Sequence, residues 1–294
     1  MIRLAVRCRR EEGEAALAEL LELAPGGVEE VDAPGGEDGV VEYAVYGAPG
    51  ELPDIGSLKV AAGDALVEVR SERVPDDWSD RWKRFYHPAL IGGRLYVRPP
   101  WERPAERGGV VEVVIDPGRA FGTGTHATTS MCLELLLDAA PPGGLRRLLR
   151  RGRRSFCDLG CGSGVLAIAA AKLGFRPVLA FDSEQAAIEE CDRNARLNYV
   201  DISPERVDLR RETSPPADVA TANLTAGLLT EIAERWAAGA PAPQTLIASG
   251  FLTTEAERVY EELARAGLYK GRAMRRGEWS AVLAEAAPRQ RIVY

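Results

Sequence analysis

An α/β fold is predicted, a doubly wound parallel sheet preceded by a smaller α+β domain, on three observations. Residues 156–173 read as strand, glycine turn and helix: the apolar run Phe156–Leu159, alternate glycines at 160, 162 and 164, then the helical Val165–Leu173. From Val110 onward, strand-like and helix-like segments alternate, which calls for a parallel sheet covered on both faces. Residues 1–72 follow a different order, strand, helix, strand, strand, helix, strand.

In that first segment Ile2–Cys8 alternates apolar with basic residues and predicts a strand. Glu11–Leu23 places Ala15, Leu17, Leu20, Leu21 and Leu23 largely at helical spacing. Strands are expected over Val28–Val31 and Val40–Tyr46, on either side of Pro34–Gly36. A short helix is expected over Glu51–Ala62, against the weakening effect of Pro53 and Gly56, and Ala65–Val69 alternates again. The order suits a ferredoxin-like sandwich. Residues 73–104 read as a linker in which Trp78, Trp82 and Phe85 share one helix face, a stripe suited to packing between domains.

The larger domain, residues 105–294, has strand candidates at Val110–Ile115, Phe156–Leu159, Val178–Phe181, Arg206–Leu209, Val219–Ala222 and Thr245–Ala248. Helical patterns fall at 127–138, 164–173, 184–198, 225–238 and 253–266. Leu268–Ala273 and Trp279–Leu283 suggest a closing antiparallel hairpin. The arginine-rich Leu145–Arg154 reads as an exposed insertion, since no aromatic residue interleaves its cations.

Composition narrows the classes. No apolar run approaches the ~20 residues of a membrane helix, and Met1–Arg7 lacks the layout of a signal peptide. Cys8, Cys132, Cys157, Cys161 and Cys191 are scattered, suggesting neither a disulfide framework nor a zinc site, so a reducing cytoplasm is expected. The net charge of −7 is concentrated at one end: residues 1–80 carry 7 basic and 19 acidic side chains. Such a surface disfavours nucleic acid, solubilises the chain and could attract a basic protein.

Chemistry concentrates around the glycine turn, where a backbone without Cβ atoms can approach a ligand closely. Asp182 ends the run Val178–Phe181 eighteen residues beyond Gly164, and an acid there can accept both hydroxyls of a ribose. A nucleoside cofactor follows, although Gly162, Gly164 and Ala167 also fit a dinucleotide pattern and leave a nicotinamide enzyme open. Upstream, Asp116–Thr129 sets glycines at 118, 122 and 124 around Phe121. Thr128 and Thr129 then open a helix whose hydroxyls and free N–H groups can hold a carboxylate. Asn223, at the end of a strand, projects toward the same cleft as Gly160 and Asp182, though an Asn there is also an ordinary helix cap.

Together, Asp116–Thr129, Asp158–Gly164 with Leu166–Gly174, Asp182, Asn194–Asn198, Ala222–Leu224 and Gly277–Trp279 resemble the class I S-adenosylmethionine-dependent methyltransferases. More narrowly they resemble the PrmA family, methyltransferases of ribosomal protein L11, as do Asp77, Trp78, Trp82, Pro88, Pro100 and Trp101 of the linker. The resemblance runs from about residue 74 to 284, is most specific over Phe121–Thr129 and is weakest over residues 1–70.

The resemblance implies a Rossmann-like methyltransferase domain over residues 105–294 that binds S-adenosylmethionine, and a substrate-recognition domain over residues 1–72. It places Thr129 and Phe121 at the methionine end and Gly160, Gly162 and Gly164 in the turn beneath the cofactor. It puts Asp182 on the ribose and Asn223 beside the transferable methyl and the incoming amine. The implied enzyme is a cytoplasmic monomer without a metal that methylates lysine ε-amines, and an N-terminal α-amine, of ribosomal protein L11. His126 is expected to act structurally. Thr225 and Ala226 lack the Pro-Pro-aromatic sequence of adenine and glutamine-amide methyltransferases, which favours an aliphatic amine. The competing readings are a methyltransferase of another protein or small amine, and a nicotinamide-dependent oxidoreductase, in which the Asp116–Thr129 segment has no evident use.

Overall fold

The computed structural model describes residues 2–10, 17, 29–31, 39–47, 66–73, 87–106, 108–116, 126–140 and 154–287. The chain divides into two compact units, Met1–Phe85 and Tyr86–Tyr294.

The first unit contains β1 (Ile2–Arg9), β2 (Glu29–Val31), β3 (Val40–Gly47) and β4 (Leu66–Arg73), an antiparallel sheet in the order β2-β3-β1-β4. Alternate residues of β1, Leu4, Val6 and Cys8, join Val41 and Tyr43 in a buried cluster, as the period of two requires. On the opposite face Glu42 is 2% exposed and receives hydrogen bonds from Arg7 Nε at 2.8 Å and from Arg3. Burial raises the Glu42 pKa, but the two guanidiniums outweigh it and hold the carboxyl below its usual range. The helices expected over Glu11–Leu23 and Glu51–Ala62, and the stripe Trp78–Phe85, lie outside the described residues except for a helical Leu17.

The second unit opens with a three-stranded sheet, β5 (Ala89–Ile91), β6 (Leu95–Arg98) and β7 (Val111–Val114), in that order. Strands β5 and β6 come from the segment read as linker. Strand β7, expected in the main sheet, runs parallel to β6 instead. Its partners explain the difference. Val114 N–H donates to Asn198 Oδ1 and Asp116 N–H to Asn194 Oδ1, both at 2.9 Å, so buried amide side chains occupy backbone groups a sheet neighbour would use.

After α1 (Ala127–Ala139) come β8 (Phe156–Leu159), α2 (Val165–Leu173), β9 (Val178–Asp182), α3 (Gln185–Leu197), β10 (Ser203–Arg206) and β11 (Val219–Asn223). They are followed by α4 (Ala226–Ala237), β12 (Thr245–Leu252), α5 (Ala256–Arg265), β13 (Leu268–Arg276) and β14 (Trp279–Ala286). The seven strands lie in the order β10-β9-β8-β11-β12-β14-β13. The first five are parallel, and β14 and β13 close the sheet as the expected antiparallel hairpin. Both faces are covered: Phe156 joins Met131, Ile168 and Cys191 on one side, while Cys157 and Leu159 join Leu229, Trp236 and Val259 on the other. Arg154, from the arginine-rich segment, is drawn in to Ala139 O at 2.9 Å; residues 141–153 lie outside the description.

Strand β10 occupies 203–206 rather than the expected 206–209. Pro204 counts against a strand in sequence but is tolerated here because β10 is an edge. Beyond Val207 the chain turns on Asp208, whose Oδ1 accepts from Arg210 N–H at 3.1 Å. No described helix is long and apolar enough to cross a membrane.

Candidate functional site

Strand order reverses between β8, which leads outward to β9 and β10, and β11, which leads the other way to β12. In open α/β sheets this switch point leaves a crevice beyond the carboxyl ends of the strands. A cavity of about 220 Å³ lies here, lined by Thr129, Gly160, Gly162, Asp182, Val207–Arg210, Asn223 and Leu224 among others. Five of the residues singled out from sequence thus share one cavity wall. Gly164 sits behind them as the left-handed N-cap of α2, and Phe121 lies outside the described residues.

The turn after β8 is fastened to the end of β9. Gly160 and Cys161 N–H groups both donate to Phe181 O, at 2.8 and 2.9 Å, and Gly162 N–H donates to Asp182 Oδ2 at 3.0 Å. The other Asp182 oxygen accepts from Glu184 N–H at 3.1 Å. Each carboxylate oxygen can accept more than one hydrogen bond, so Asp182 keeps acceptor capacity while the Gly162 and Glu184 N–H groups orient it.

Leu224 is clamped between two glycines. At Gly160, with φ 79°, a Cβ would stand 2.5 Å from Leu224 Cδ2. At Gly250, with φ 89°, it would stand 2.5 Å from Leu224 O and 2.8 Å from Leu224 N. Leu224 N–H also donates to Ser249 O at 2.9 Å. The clamp fixes Asn223, whose Nδ2 donates to Thr129 Oγ1 at 3.2 Å. Gly250 is not among the residues that the sequence points to: it lies within β12 rather than in a glycine-rich turn, and only its approach to Leu224 marks it.

Thr129 lies in the first turn of α1, where His126 is the N-cap. His126 Nδ1 accepts weakly from Thr128 N–H at 3.4 Å and contacts Thr128 Oγ1 at 2.8 Å, and the ring meets Trp279 edge-on with centroids 5.5 Å apart. Burial lowers the His126 pKa, so the ring is neutral at neutral pH. This cap matches the structural role expected of it. Asn194 adds a tie that spacing could not reveal: its Nδ2 donates to Ser163 O at 2.9 Å, joining α3 to the glycine turn while Oδ1 holds Asp116.

Asp158 lies below the turn, fully buried, and accepts from Thr221 Oγ1 at 2.6 Å and from Ala167 N–H at 3.2 Å. It supplies α2 with the N-terminal acceptor that the side-chain-free Gly164 cannot. Desolvation pushes its pKa from 3.8 up to about 7, with the charge of Asp182 adding to the rise and the Thr221 and Ala167 bonds opposing it. A folded-state pKa above the unfolded value means that the native state holds the extra proton between about pH 4 and 7. Asp158 therefore removes stability as pH rises through that window. Asp158→Asn, which has no charge to bury, is expected to gain stability over the parent at pH 8 relative to pH 5. Thermal unfolding of both proteins at the two pH values measures this; parallel pH dependence would show that Asp158 does not titrate there.

A family model described as ribosomal protein L11 methyltransferase (PrmA) matches residues 55–287. The ribosomal protein L11 methyltransferase of Symbiobacterium thermophilum is 34% identical over 268 residues, 90% of this chain and 84% of that protein. The same-named protein of Heliobacterium modesticaldum is 36% identical over 214 residues, covering 72% of this chain and 65% of that relative's own length. Among solved structures, a ribosomal protein L11 methylase from Lactobacillus delbrueckii subsp. bulgaricus aligns with a TM-score of 0.59 and 27% identity, covering 68% of this chain and 99% of that one.

Proposed function

Because the chain belongs to the ribosomal protein L11 methyltransferase family, we propose that it moves methyl groups from S-adenosylmethionine to amino groups of ribosomal protein L11, lysine ε-amines and an N-terminal α-amine. One observation carries the reading: Thr129, Asn223, Gly160, Gly162 and Asp182 line a single cavity at the switch point of the sheet.

These residues fit the cofactor in sequence along the strand ends. Asn223 on β11 would mark the reacting end, with Thr129, bonded to it, and Phe121 assigned to the methionine end on the family resemblance. The glycine turn on β8 would lie beneath it, Asp182 on β9 would take the ribose hydroxyls, and Val207–Arg210, beyond β10, would hold the nucleobase. Gly160 and Leu224 both line the cavity, and a Cβ at residue 160 would meet the Leu224 side chain, so the glycine keeps these two walls in contact.

When bound, S-adenosylmethionine supplies a methyl group on a sulfonium, so that in-line displacement needs alignment more than added reactants. Asn223 provides that alignment. Its Nδ2 is engaged by Thr129, which leaves Oδ1 to accept a hydrogen bond from the amine and aim the nitrogen lone pair. Among the described residues lining the cavity the carboxylates are Asp182 and Asp208, both on the β9–β10 side. Neither stands beside Asn223 as a base. The amine, with an ordinary pKa of ~10.4, is instead made neutral by burial next to a positive sulfonium.

The first unit would recognise the substrate. Its strand order, β2-β3-β1-β4, supports a ferredoxin-like unit within residues 1–72, and its acid-rich composition suits a basic protein. A cytoplasmic monomer remains the expected working form.

Labelled S-adenosylmethionine incubated with the chain and purified L11 tests the activity, with a parallel titration of NADH to test the oxidoreductase alternative. Label is expected in L11, with no NADH binding; label absent from L11 would sink the substrate. Asn223→Ala is expected to lower kcat by about 10–100-fold, the range for a lost positioning interaction, while cofactor Kd moves less than about threefold. Equal losses in Kd and kcat would remove Asn223 from its assigned place.

A further inference from the structure

We propose that Arg235 is a positioning residue that sets the affinity of the nucleoside end of the cavity, an inference that rests on the cofactor reading above. The wall formed by Val207–Arg210 is irregular chain following an edge strand. Its own bonds are local: Arg211 and Glu212 N–H groups both donate to Asp208 O at 2.9 Å, and Asp208 N–H donates to Glu212 Oε1 at 3.2 Å. Such bonds shape the loop but do not place it. At one end it is placed by Val207 N–H, which donates to Asp182 O at 2.8 Å.

At the other end the loop is held by Arg235 of α4. Its Nη1 donates to Glu212 O at 3.0 Å, its Nη2 donates to Leu209 O, and its Nε donates to Glu231 O of its own helix at 3.3 Å. A single planar guanidinium therefore ties two loop carbonyls to one helix, a task for which the rigid fork of arginine is suited. The Leu209 side chain is gripped from the same side, since it belongs to the buried cluster that includes Ile232 and Trp236 of α4. Leu209 also lines the cavity. Its carbonyl and its side chain are thus both anchored to α4, and a shift at Arg235 passes directly into the wall.

Strand order identifies what that wall touches. A ligand with its reacting end at Asn223 on β11 and its diol at Asp182 on β9 extends next over the end of β10, where Val207–Arg210 stands. The plainer role for Arg235 is a cation in the last turn of α4, favoured by the helix dipole. That role predicts a change in stability and none in ligand affinity.

The two are separated by titrating the full chain and its Arg235→Ala and Arg235→Lys variants with S-adenosylmethionine and with 5′-methylthioadenosine, which lacks the amino-acid end. Arg235→Ala is expected to raise Kd for both ligands about tenfold, equivalent to about 1.4 kcal/mol. Arg235→Lys, able to hold one carbonyl but not both, should recover part of the loss. The loss should be confined to binding, with kcat at saturating cofactor within about twofold of the parent. Unchanged Kd values, a loss seen only with the methionine-bearing ligand, or a fall in kcat matching the rise in Kd would each overturn the proposal. A parent chain that binds neither ligand would instead overturn the cofactor reading.

Discussion

Gly250→Ala is expected to lower kcat by about a hundredfold in a protein that still folds, the scale associated with displacing a reacting group by about an ångström. Two costs meet at this residue. The backbone sits at φ 89°, where an L side chain is strained, and the new Cβ would lie 2.5 Å from Leu224 O and 2.8 Å from Leu224 N. Those are backbone atoms, so the contact cannot be relieved by turning a side chain. Leu224 must move, and Asn223 moves with it, breaking the 3.2 Å bond to Thr129 that aims the amide. Gly239→Ala is the matched control. Gly239 has φ 107°, but a Cβ there meets nothing within 4 Å, so it carries the backbone strain without the clash. Steady-state turnover at saturating cofactor, read beside thermal unfolding, should show Gly239→Ala less stable yet fully active and Gly250→Ala impaired in catalysis. Full turnover in both would mean that the glycine clamp does not place Asn223.

What was legible in the sequence follows from the range over which each feature is encoded. Strand β8, the glycine turn and α2 are consecutive, and their periodicity and glycines announce them without reference to the rest of the chain. Asp182 and Asn223 were legible because each ends an apolar run, and a strand end in a parallel sheet points to one edge whatever the partner order. Strand β7 was misplaced for the opposite reason. Its composition suits a parallel strand, but its place is set by Asn194 and Asn198, some eighty residues on, whose amides occupy its backbone. Strand β10 slid by three residues because Pro204 hides an edge strand and the apolar Val207 and Leu209 imitate one. Gly250 and Arg235 act on Leu224 and Leu209 through contacts between elements distant in sequence, which no spacing rule registers.

Asp182→Ala is expected to raise the Kd for S-adenosylmethionine about a hundredfold, close to 2.7 kcal/mol, with a much smaller change in kcat at saturation. The carboxylate has two duties at once. Outward, it can accept from two vicinal hydroxyls, and hydrogen bonds to a charged acceptor are worth about 1.5–3 kcal/mol each. Inward, its two oxygens accept from Gly162 N–H at 3.0 Å and Glu184 N–H at 3.1 Å, so removing it also slackens the glycine turn against β9. A truncation alone confuses the two. A cycle with 5′-methylthioadenosine and its analogue lacking the ribose hydroxyls separates them, because coupling between Asp182 and the diol exists only when both are present. The parent should lose affinity sharply when the hydroxyls are removed, and Asp182→Ala should lose little more. Equal losses in parent and variant would assign the whole effect to the turn and leave the diol with another partner. Asp182→Asn sharpens the distinction: it keeps one acceptor oxygen but turns an amide N–H₂ toward Gly162 or Glu184, whose N–H groups cannot accept it. Its affinity should fall between parent and alanine variant, with the coupling to the hydroxyls reduced but not abolished.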